Sequence, residues 1–253
     1  MNGTVMMIPG AFAGAWCFDD FRRHFEAAGW RVLTPELRHH GAPGGADPRL
    51  AGTGLRDYAD DLAAEIGALD EAPVLLGHSM GGLLAQLLAA RGLARAAVLL
   101  APAPSWGILP SSREEIAAAM GLMSLGSFWE QVLDSAFEIA ADNSLNCLPA
   151  DRQRAVFERF VPESGQALFE CLFWMFDPNR AAYVNGVNVD CPLLCIAGGR
   201  DRVVVPDSVR KTADKYPELA TFMEFEEMGH MLLLEDDWQA VAEACTDWLA
   251  AVL

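Results

Sequence analysis

Short apolar runs alternate with amphipathic segments along most of this 253-residue chain. The runs span residues 4–9, 31–34, 73–76, 96–101, 192–197 and 221–225. Most of them are continuously apolar, which is typical of strands covered on both faces in a parallel sheet. The segments between them carry apolar residues at helical spacing, as do Leu55, Tyr58, Leu62 and Ile66. The pattern predicts an α/β fold whose mostly parallel central sheet has helices on both faces.

The alternation stops between the fourth and fifth predicted strands. Residues 105–188 contain helical stretches but no convincing strand. We therefore predict one core domain, formed by residues 1–104 and 189–253, with a helical lid of residues 105–188 inserted into it. The lid is rich in Phe, Trp and Met, and the run from Phe173 to Phe176 is predicted to form a wall of a substrate pocket. Residues 39–54 are rich in Gly and Pro and are expected to form an exposed loop.

Composition excludes several classes of function. Hydrophobic residues make up 52% of the chain, which is enough for a large core. The formal net charge is −17, so nucleic acids and anionic lipid surfaces are disfavoured partners. No apolar run is long enough to cross a bilayer, and a strand predicted from Thr4 leaves no room for a signal peptide. We expect no membrane or nucleic-acid partner.

The cysteine and histidine residues do not predict a metal site. None of the six cysteines forms a C-x-x-C pair, and the five histidines do not cluster with them. We expect reduced, mostly buried thiols in a cytoplasmic protein that needs no metal or organic cofactor.

The sequence Gly-His-Ser-Met-Gly at residues 77–81 follows a predicted strand and begins a helix. A sharp strand-to-helix turn strains the backbone of its central residue and projects that side chain, while the flanking positions accept only glycine. Ser79 is therefore the candidate nucleophile, at a strand's carboxyl end and a helix N-terminus.

A serine nucleophile needs a base, and the base needs an acid that orients it. His230 follows the last predicted strand, and Asp201 follows the strand before it. Asp207 is the nearest rival acid, but Pro206-Asp207 has the pattern of a first helical turn. All three candidates would then lie at the carboxyl ends of strands in one parallel sheet.

The order Ser79, Asp201, His230 resembles the α/β-hydrolase superfamily, and the resemblance covers essentially the whole chain from the family's third strand onward. The spacing Gly-Ala-x-x-Gly-Ala-Trp at residues 10–16 is similar to the plant methylesterase and hydroxynitrile-lyase branch and its bacterial relatives. The resemblance implies an oxyanion hole formed by the backbone N–H groups of Ala11 and Met80.

The chain departs from that pattern at two positions. Pro9 replaces the histidine that usually begins the oxyanion loop. Met231 stands where the hydroxynitrile lyases carry a lysine, which argues against cyanohydrin cleavage. We expect the substrate pocket to be lined by Phe12, His78, Trp106, Trp174 and Met231.

The sequence thus predicts a serine hydrolase acting on a carboxylic ester of a hydrophobic small molecule, with a thioester or a lactone left open. One alternative keeps the fold and changes the reaction to C–C bond hydrolysis, perhydrolysis or a polyketide-type rearrangement. Another is a ligand-binding protein without catalytic activity. The substrate and the oligomeric state are left open.

Overall fold

The computed structural model describes residues 2–41 and 45–253, and its centre is a six-stranded sheet. The strands of that sheet are β1 (Thr4–Ile8), β2 (Arg31–Leu33), β3 (Val74–His78), β4 (Ala96–Leu100), β7 (Leu193–Gly198) and β8 (Ala220–Phe225). The α-helices of the described residues are α1 (Asp19–Ala27), α2 (Leu55–Gly67), α3 (Met80–Ala89), α4 (Arg113–Met123), α5 (Phe137–Asp142), α6 (Ala150–Phe157), α7 (Gly165–Leu172), α8 (Pro206–Asp214) and α9 (Trp238–Val252). Short 3-10 helices span Ala15–Phe18, Pro48–Gly52, Phe128–Glu130, Trp174–Phe176 and Gly186–Asn188.

The strands of the sheet lie in the order β2-β1-β3-β4-β7-β8, and each neighbouring pair is parallel. The chain runs outward from β1 to β2 and then returns to place β3 on the other side of β1. The strand order therefore reverses between β1 and β3, where the carboxyl ends of strands in open α/β sheets leave a crevice.

Helices cover both faces of the sheet, as the continuous apolar runs predicted. Alternate residues of a strand contribute to different cores, because successive side chains point to opposite faces. Met6 and Leu75 belong to the core beneath α2, α3 and α8, whereas Val5 and Val74 belong to the core beneath α1 and α9. The prediction of an α/β fold with a doubly covered sheet is confirmed.

The segment between β4 and β7 contributes no strand to the main sheet within the described residues. It contains helices α4 to α7 and a short antiparallel pair, β5 (Val132–Leu133) and β6 (Glu163–Ser164). The expectation that residues 105–188, hereafter the insertion, lack strands is therefore wrong. Strands of two residues carry too little periodicity to be recognised in a sequence. The division into a core domain and a lid stays a prediction.

The loop at residues 39–54 is only partly exposed. The predicted loop includes residues 42–44, which lie outside the described residues. Leu50, in the 3-10 helix Pro48–Gly52, is 1% exposed. The expectation of a wholly exposed loop is thus wrong at Leu50, because this side chain joins the core beneath α2. Within the described residues no helix is both long and apolar enough to cross a membrane. The six cysteines are free thiols, and all but Cys147 are buried.

Candidate active site

The loops that follow β1 and β3 meet where the strand order reverses. The register pairs Ile8 with Gly77, so the two strands end side by side. A Cβ atom added to Gly10 would lie 2.9 Å from the Cβ atom of Ser79. Only glycine allows the β1 loop to come this close to Ser79. The two loops therefore share the crevice at which ligands bind in open α/β sheets.

Ser79 adopts a strained backbone conformation, with φ 52° and ψ −118°, directly before α3. The glycines around it are required by close backbone contacts. A Cβ atom at Gly77 would collide with the Gly81 carbonyl, and one at Gly81 would collide with the Ile8 carbonyl. The Ser79 side chain makes no capping hydrogen bond to α3, so its hydroxyl is not engaged at the helix terminus. Such strain costs about 1–3 kcal/mol and is concentrated at functional sites.

Two backbone N–H groups next to this turn are free to bind an anion. Neither the Ala11 N–H nor the Met80 N–H donates a hydrogen bond within the described part of the chain. Met80 is the first residue of α3, where the helix dipole favours negative charge. In the loop after β1, Phe12 follows Ala11 and has a positive φ of 61°.

Asp201 and His230 form a buried hydrogen-bonded pair. Each is 4% exposed, and the Asp201 Oδ2 atom lies 2.8 Å from Nδ1 of His230. The other carboxylate oxygen, Oδ1, accepts from the backbone N–H groups of Val203 and Val204 at 2.7 and 2.9 Å. The acceptor at Nδ1 favours the tautomer that carries its proton there, which leaves Nε2 of a neutral imidazole as a base.

We expected His78 to line a substrate pocket, but the structure places its side chain against His230 instead. Its ring is 2% exposed and lies 4.8 Å from the ring of His230. Its Nε2 atom is 2.9 Å from the backbone carbonyl oxygen of His230, to which it donates. Burial, together with the adjacent His230, lowers the pKa of His78 to about 3, so this imidazole is neutral near pH 7. The expected pocket contact is thus replaced by a contact with His230.

The Ser79 hydroxyl makes no hydrogen bond with His230 within residues 2–41 and 45–253. His78, which precedes Ser79 in the chain, contacts the ring and the carbonyl of His230. The structure therefore brings Asp201 and His230 together directly, and Ser79 and His230 through His78. In enzymes without bound substrate, the hydrogen bonds of catalytic groups are often long or incomplete.

The other predicted pocket residues lie at the contact between the core and the insertion. Ala11 and Phe12 pack against an apolar cluster of the insertion, formed by Phe128, Leu133, Leu168 and Phe173. Trp106 and Trp174 contact each other with ring centroids 4.9 Å apart. Met231 is 3% exposed and packs with Leu145 and Leu148. The crevice at Ala11 therefore has an apolar wall.

The four residues of the predicted pocket wall, 173–176, differ in burial, and their role in a pocket stays a prediction. Phe173 and Trp174 are buried, but Met175 and Phe176 are 45% and 67% exposed. Residues 174–176 form a tight 3-10 turn, which directs successive side chains to different sides.

Sequence reasoning missed one buried acid beside the candidate site. Glu235 is 4% exposed, and both of its carboxylate oxygens accept from the N–H of Gly229, at 2.9 and 3.1 Å. The available signal was weak, because Glu235 is the first of three consecutive acids, residues 235–237, that follow the apolar run Met231–Leu234. Its distance from His230 along the chain does not correspond to a helical or strand period, so only the fold reveals the contact.

No group of three or more His, Cys, Asp or Glu side chains in the described ranges could hold a metal ion. The groups gathered at this site are a serine hydroxyl, an imidazole and a carboxylate, with two backbone N–H groups nearby, and groups of these types support nucleophilic catalysis.

A parallel sheet with a serine in a strained turn between β3 and α3 is the arrangement of the α/β hydrolases. The model of the family described as "Alpha/beta hydrolase family" matches residues 5–244, and the chain belongs to that family. The resemblance inferred from the sequence is thereby confirmed.

Curated relatives match over a shorter part of the chain. Methylesterase 3 of Arabidopsis thaliana is 36% identical over 84 residues, which cover 31% of this chain and 30% of that protein. The carbendazim hydrolyzing esterase of Nocardioides sp. (strain SG-4G) is 36% identical over 87 residues, covering 32% and 33% of the two chains. The chain thus spans about a third of the length of these relatives in the matched regions.

Solved structures match over the full length. Tomato methylketone synthase I, in a complex with 2-tridecanone, superposes with a TM-score of 0.76 at 15% identity and covers 100% of both chains. At this identity the likeness shows a shared fold.

Proposed function

We propose that this protein is a serine esterase that hydrolyses carboxylic esters of hydrophobic small molecules, with Ser79, His230 and Asp201 as its catalytic residues. The observation that carries the proposal is the strained Ser79, whose neighbour His78 contacts the His230 of a buried Asp201–His230 hydrogen bond. Two curated relatives named as esterases support the same reaction class.

In the proposed reaction, the Ser79 hydroxyl oxygen attacks the ester carbonyl carbon while its proton passes to Nε2 of His230. The tetrahedral intermediate collapses, and the leaving alcohol departs with the proton from His230. Water then attacks the acyl-enzyme, gives a proton to His230 and releases the acid, and the proton returns to Ser79. Asp201 stays ionised throughout, since it holds the imidazole tautomer and stabilises the imidazolium.

The negative charge that develops on the carbonyl oxygen needs fixed donors. We assign this role to the N–H groups of Ala11 and Met80, which make no other hydrogen bond among the described residues. In related chemistry, the loss of one such donor lowers kcat by about 10²–10³-fold.

The apolar wall beside Ala11 supports a hydrophobic acyl or alcohol group in the substrate. Phe12, which is only partly buried and packs against this cluster, would contact that group. The tomato protein of the same fold was solved with an aliphatic ketone, 2-tridecanone, which fits this view of the cleft. Thioesters and lactones present the same carbonyl chemistry, so a series of p-nitrophenyl esters of increasing length, assayed beside thioesters and lactones, will rank them.

The first test replaces the nucleophile. Ser79→Ala is expected to lower the turnover of p-nitrophenyl butyrate by at least about 10³-fold, because the acyl-enzyme can no longer form. Ser124→Ala is the matched control, since this exposed serine lies on the insertion and should leave turnover unchanged. Circular dichroism checks that both variants keep the fold. Turnover by Ser79→Ala at the wild-type rate would reject the assignment.

The second test labels the serine directly. A fluorophosphonate probe is expected to modify Ser79 in the wild type, as read by mass spectrometry of the intact protein and its peptides. Normal labelling without any ester turnover would favour C–C bond hydrolysis, perhydrolysis or a rearrangement on the same residues. Absence of labelling would favour a ligand-binding protein without catalytic activity.

A further inference from the structure

Glu235 contacts the backbone immediately before the candidate base. Its two carboxylate oxygens accept from the N–H of Gly229, and the next residue is His230. The carboxylate is buried, and no Lys or Arg nitrogen in the described part of the chain lies within 4.0 Å of it. A buried carboxylate without a cationic partner is unfavourable unless hydrogen bonds compensate it. The hydrogen bonds from the Gly229 N–H supply part of this compensation, so the buried carboxylate and the loop before His230 are coupled.

The Gly229 backbone is also in close contact with the insertion. A Cβ atom at Gly229 would lie 2.7 Å from Oδ1 of Asn146 and 3.0 Å from Sγ of Cys147, both in the insertion. The loop is thus in contact with both the insertion and Glu235, and a larger residue at position 229 would displace the side chains of Asn146 and Cys147. His230 itself is held by Asp201 at its Nδ1 atom and by His78 at its carbonyl oxygen.

Several charged and titratable side chains surround the Glu235 carboxylate. Burial raises its pKa, whereas the backbone N–H groups of Gly229 and Met231 act in the opposite direction. The titratable and charged side chains that face this region are Asp201, His230, His78, Cys147, Arg200 and Arg202. Of these, His230 is the group whose charge changes during the proposed reaction. Glu235 is thus a second carboxylate near His230, in addition to Asp201.

We propose that Glu235 is a positioning residue for His230, which holds the Gly229–His230 backbone in place and adds a negative charge beside the imidazole. The inference rests on the proposed function, because it assigns His230 as the base. Small displacements of a catalytic group lower the reaction rate steeply, since a displacement of about 1 Å can reduce the rate by about 10²-fold. A residue that holds the base therefore acts on kcat more than on KM.

The test compares Glu235→Gln with Glu235→Leu. The glutamine keeps an oxygen acceptor for the Gly229 N–H and removes the charge, whereas the leucine removes both. Asp237→Asn is the matched control, because this exposed acid lies two residues away and its loss changes the net charge by the same amount. The readouts are kcat and KM for p-nitrophenyl butyrate, and the rate at which a fluorophosphonate labels Ser79, each measured across pH.

We expect the acid limb of the Glu235→Gln profile to move to lower pH by at least about half a unit, since one nearby charge has been removed. Glu235→Leu should lower kcat at least about tenfold while KM changes less than about twofold. If Glu235→Leu does not fold, the Glu235→Gln profile carries the test alone.

Profiles of Glu235→Gln that match those of Asp237→Asn would overturn the inference, even if Glu235→Leu melts at a lower temperature. That result, obtained with a wild type that labels at Ser79, rejects only the role of Glu235. A wild type that neither labels nor hydrolyses esters rejects the proposed function and the inference with it.

Discussion

At the residue scale, His78 is buried and donates a hydrogen bond to the backbone of His230. Its position in the turn places the ring under His230, where Nε2 donates to a carbonyl oxygen and Nδ1 has no partner among the described residues. Protonation would place a second proton, and a charge, in a buried environment beside another imidazole. The ring therefore serves as a neutral donor, and its burial couples the stability of the fold to pH.

This coupling has a definite sign. The pKa of His78 falls from 6.5 to about 3 on folding, so below pH 6.5 the unfolded chain binds a proton that the folded chain does not. Above the pKa of His78 in the unfolded chain, this residue does not reduce stability. As the pH falls from that pKa toward the pKa in the folded chain, stability is progressively lost. His78 should lower the free energy of unfolding by up to about 1.4 kcal/mol per pH unit in that window.

We predict that His78→Gln reduces this acid sensitivity. The glutamine amide can still donate to the His230 carbonyl but does not titrate. Urea unfolding between about pH 7 and about pH 5 should give a shallower pH dependence for the variant than for the wild type. Equal slopes for the two proteins would show that another group controls the acid response.

At the scale of elements, buried carboxylates of the insertion contact helix α2. Glu170 in α7 accepts from the N–H of Leu55, the first residue of α2, at 2.6 Å. Glu163 in β6 accepts from the hydroxyl of Tyr58 at 2.8 Å. Since the first N–H groups of a helix lack partners within the helix, a carboxylate at this end satisfies a donor and interacts favourably with the dipole.

We predict that Glu170→Ala lowers the free energy of unfolding by about 1–3 kcal/mol, because it leaves the Leu55 N–H without an acceptor. Glu170→Gln should lose less, since its amide oxygen still accepts. Glu158→Ala is the control, an exposed acid after α6. Urea denaturation measures all three. Equal stability of Glu170→Ala and Glu158→Ala would show that this contact does not hold the insertion to α2.

At the scale of the whole molecule, the net charge of −17 dominates long-range interactions. Charges of one sign repel ligands of the same sign over about 10 Å at 0.1 M salt, and added salt screens the effect. For a charged small molecule, such a field would change the rate of encounter with the protein.

We predict that the protein discriminates against anionic esters at low ionic strength. The ratio of kcat/KM for mono-p-nitrophenyl succinate to kcat/KM for neutral p-nitrophenyl butyrate should rise several-fold as salt increases from about 0.01 M to about 0.3 M. The neutral ester serves as the internal control. A ratio that does not depend on salt would show that local contacts in the cleft control the choice of substrate.

Much of the fold could be predicted from the sequence, because it depends on local rules. The continuous apolar runs specify strands that are buried on both faces, and the glycines at 77 and 81 allow the turn at Ser79. The candidates Asp201 and His230 could be named because each follows a strand of the parallel sheet. Their catalytic roles stay predictions until Ser79 is tested.

The tertiary structure decided three features: the orientation of the His78 side chain, the two-residue strands of the insertion, and the contact of Glu235 with Gly229. Each depends on groups that approach from distant parts of the chain or on elements too short to show a period. The sequence by itself determined the sheet and the turn that presents Ser79, because strand periodicity and glycine sterics act over a few neighbouring residues. Only the tertiary structure decided what surrounds His230, because burial and hydrogen bonding there depend on how separate elements pack.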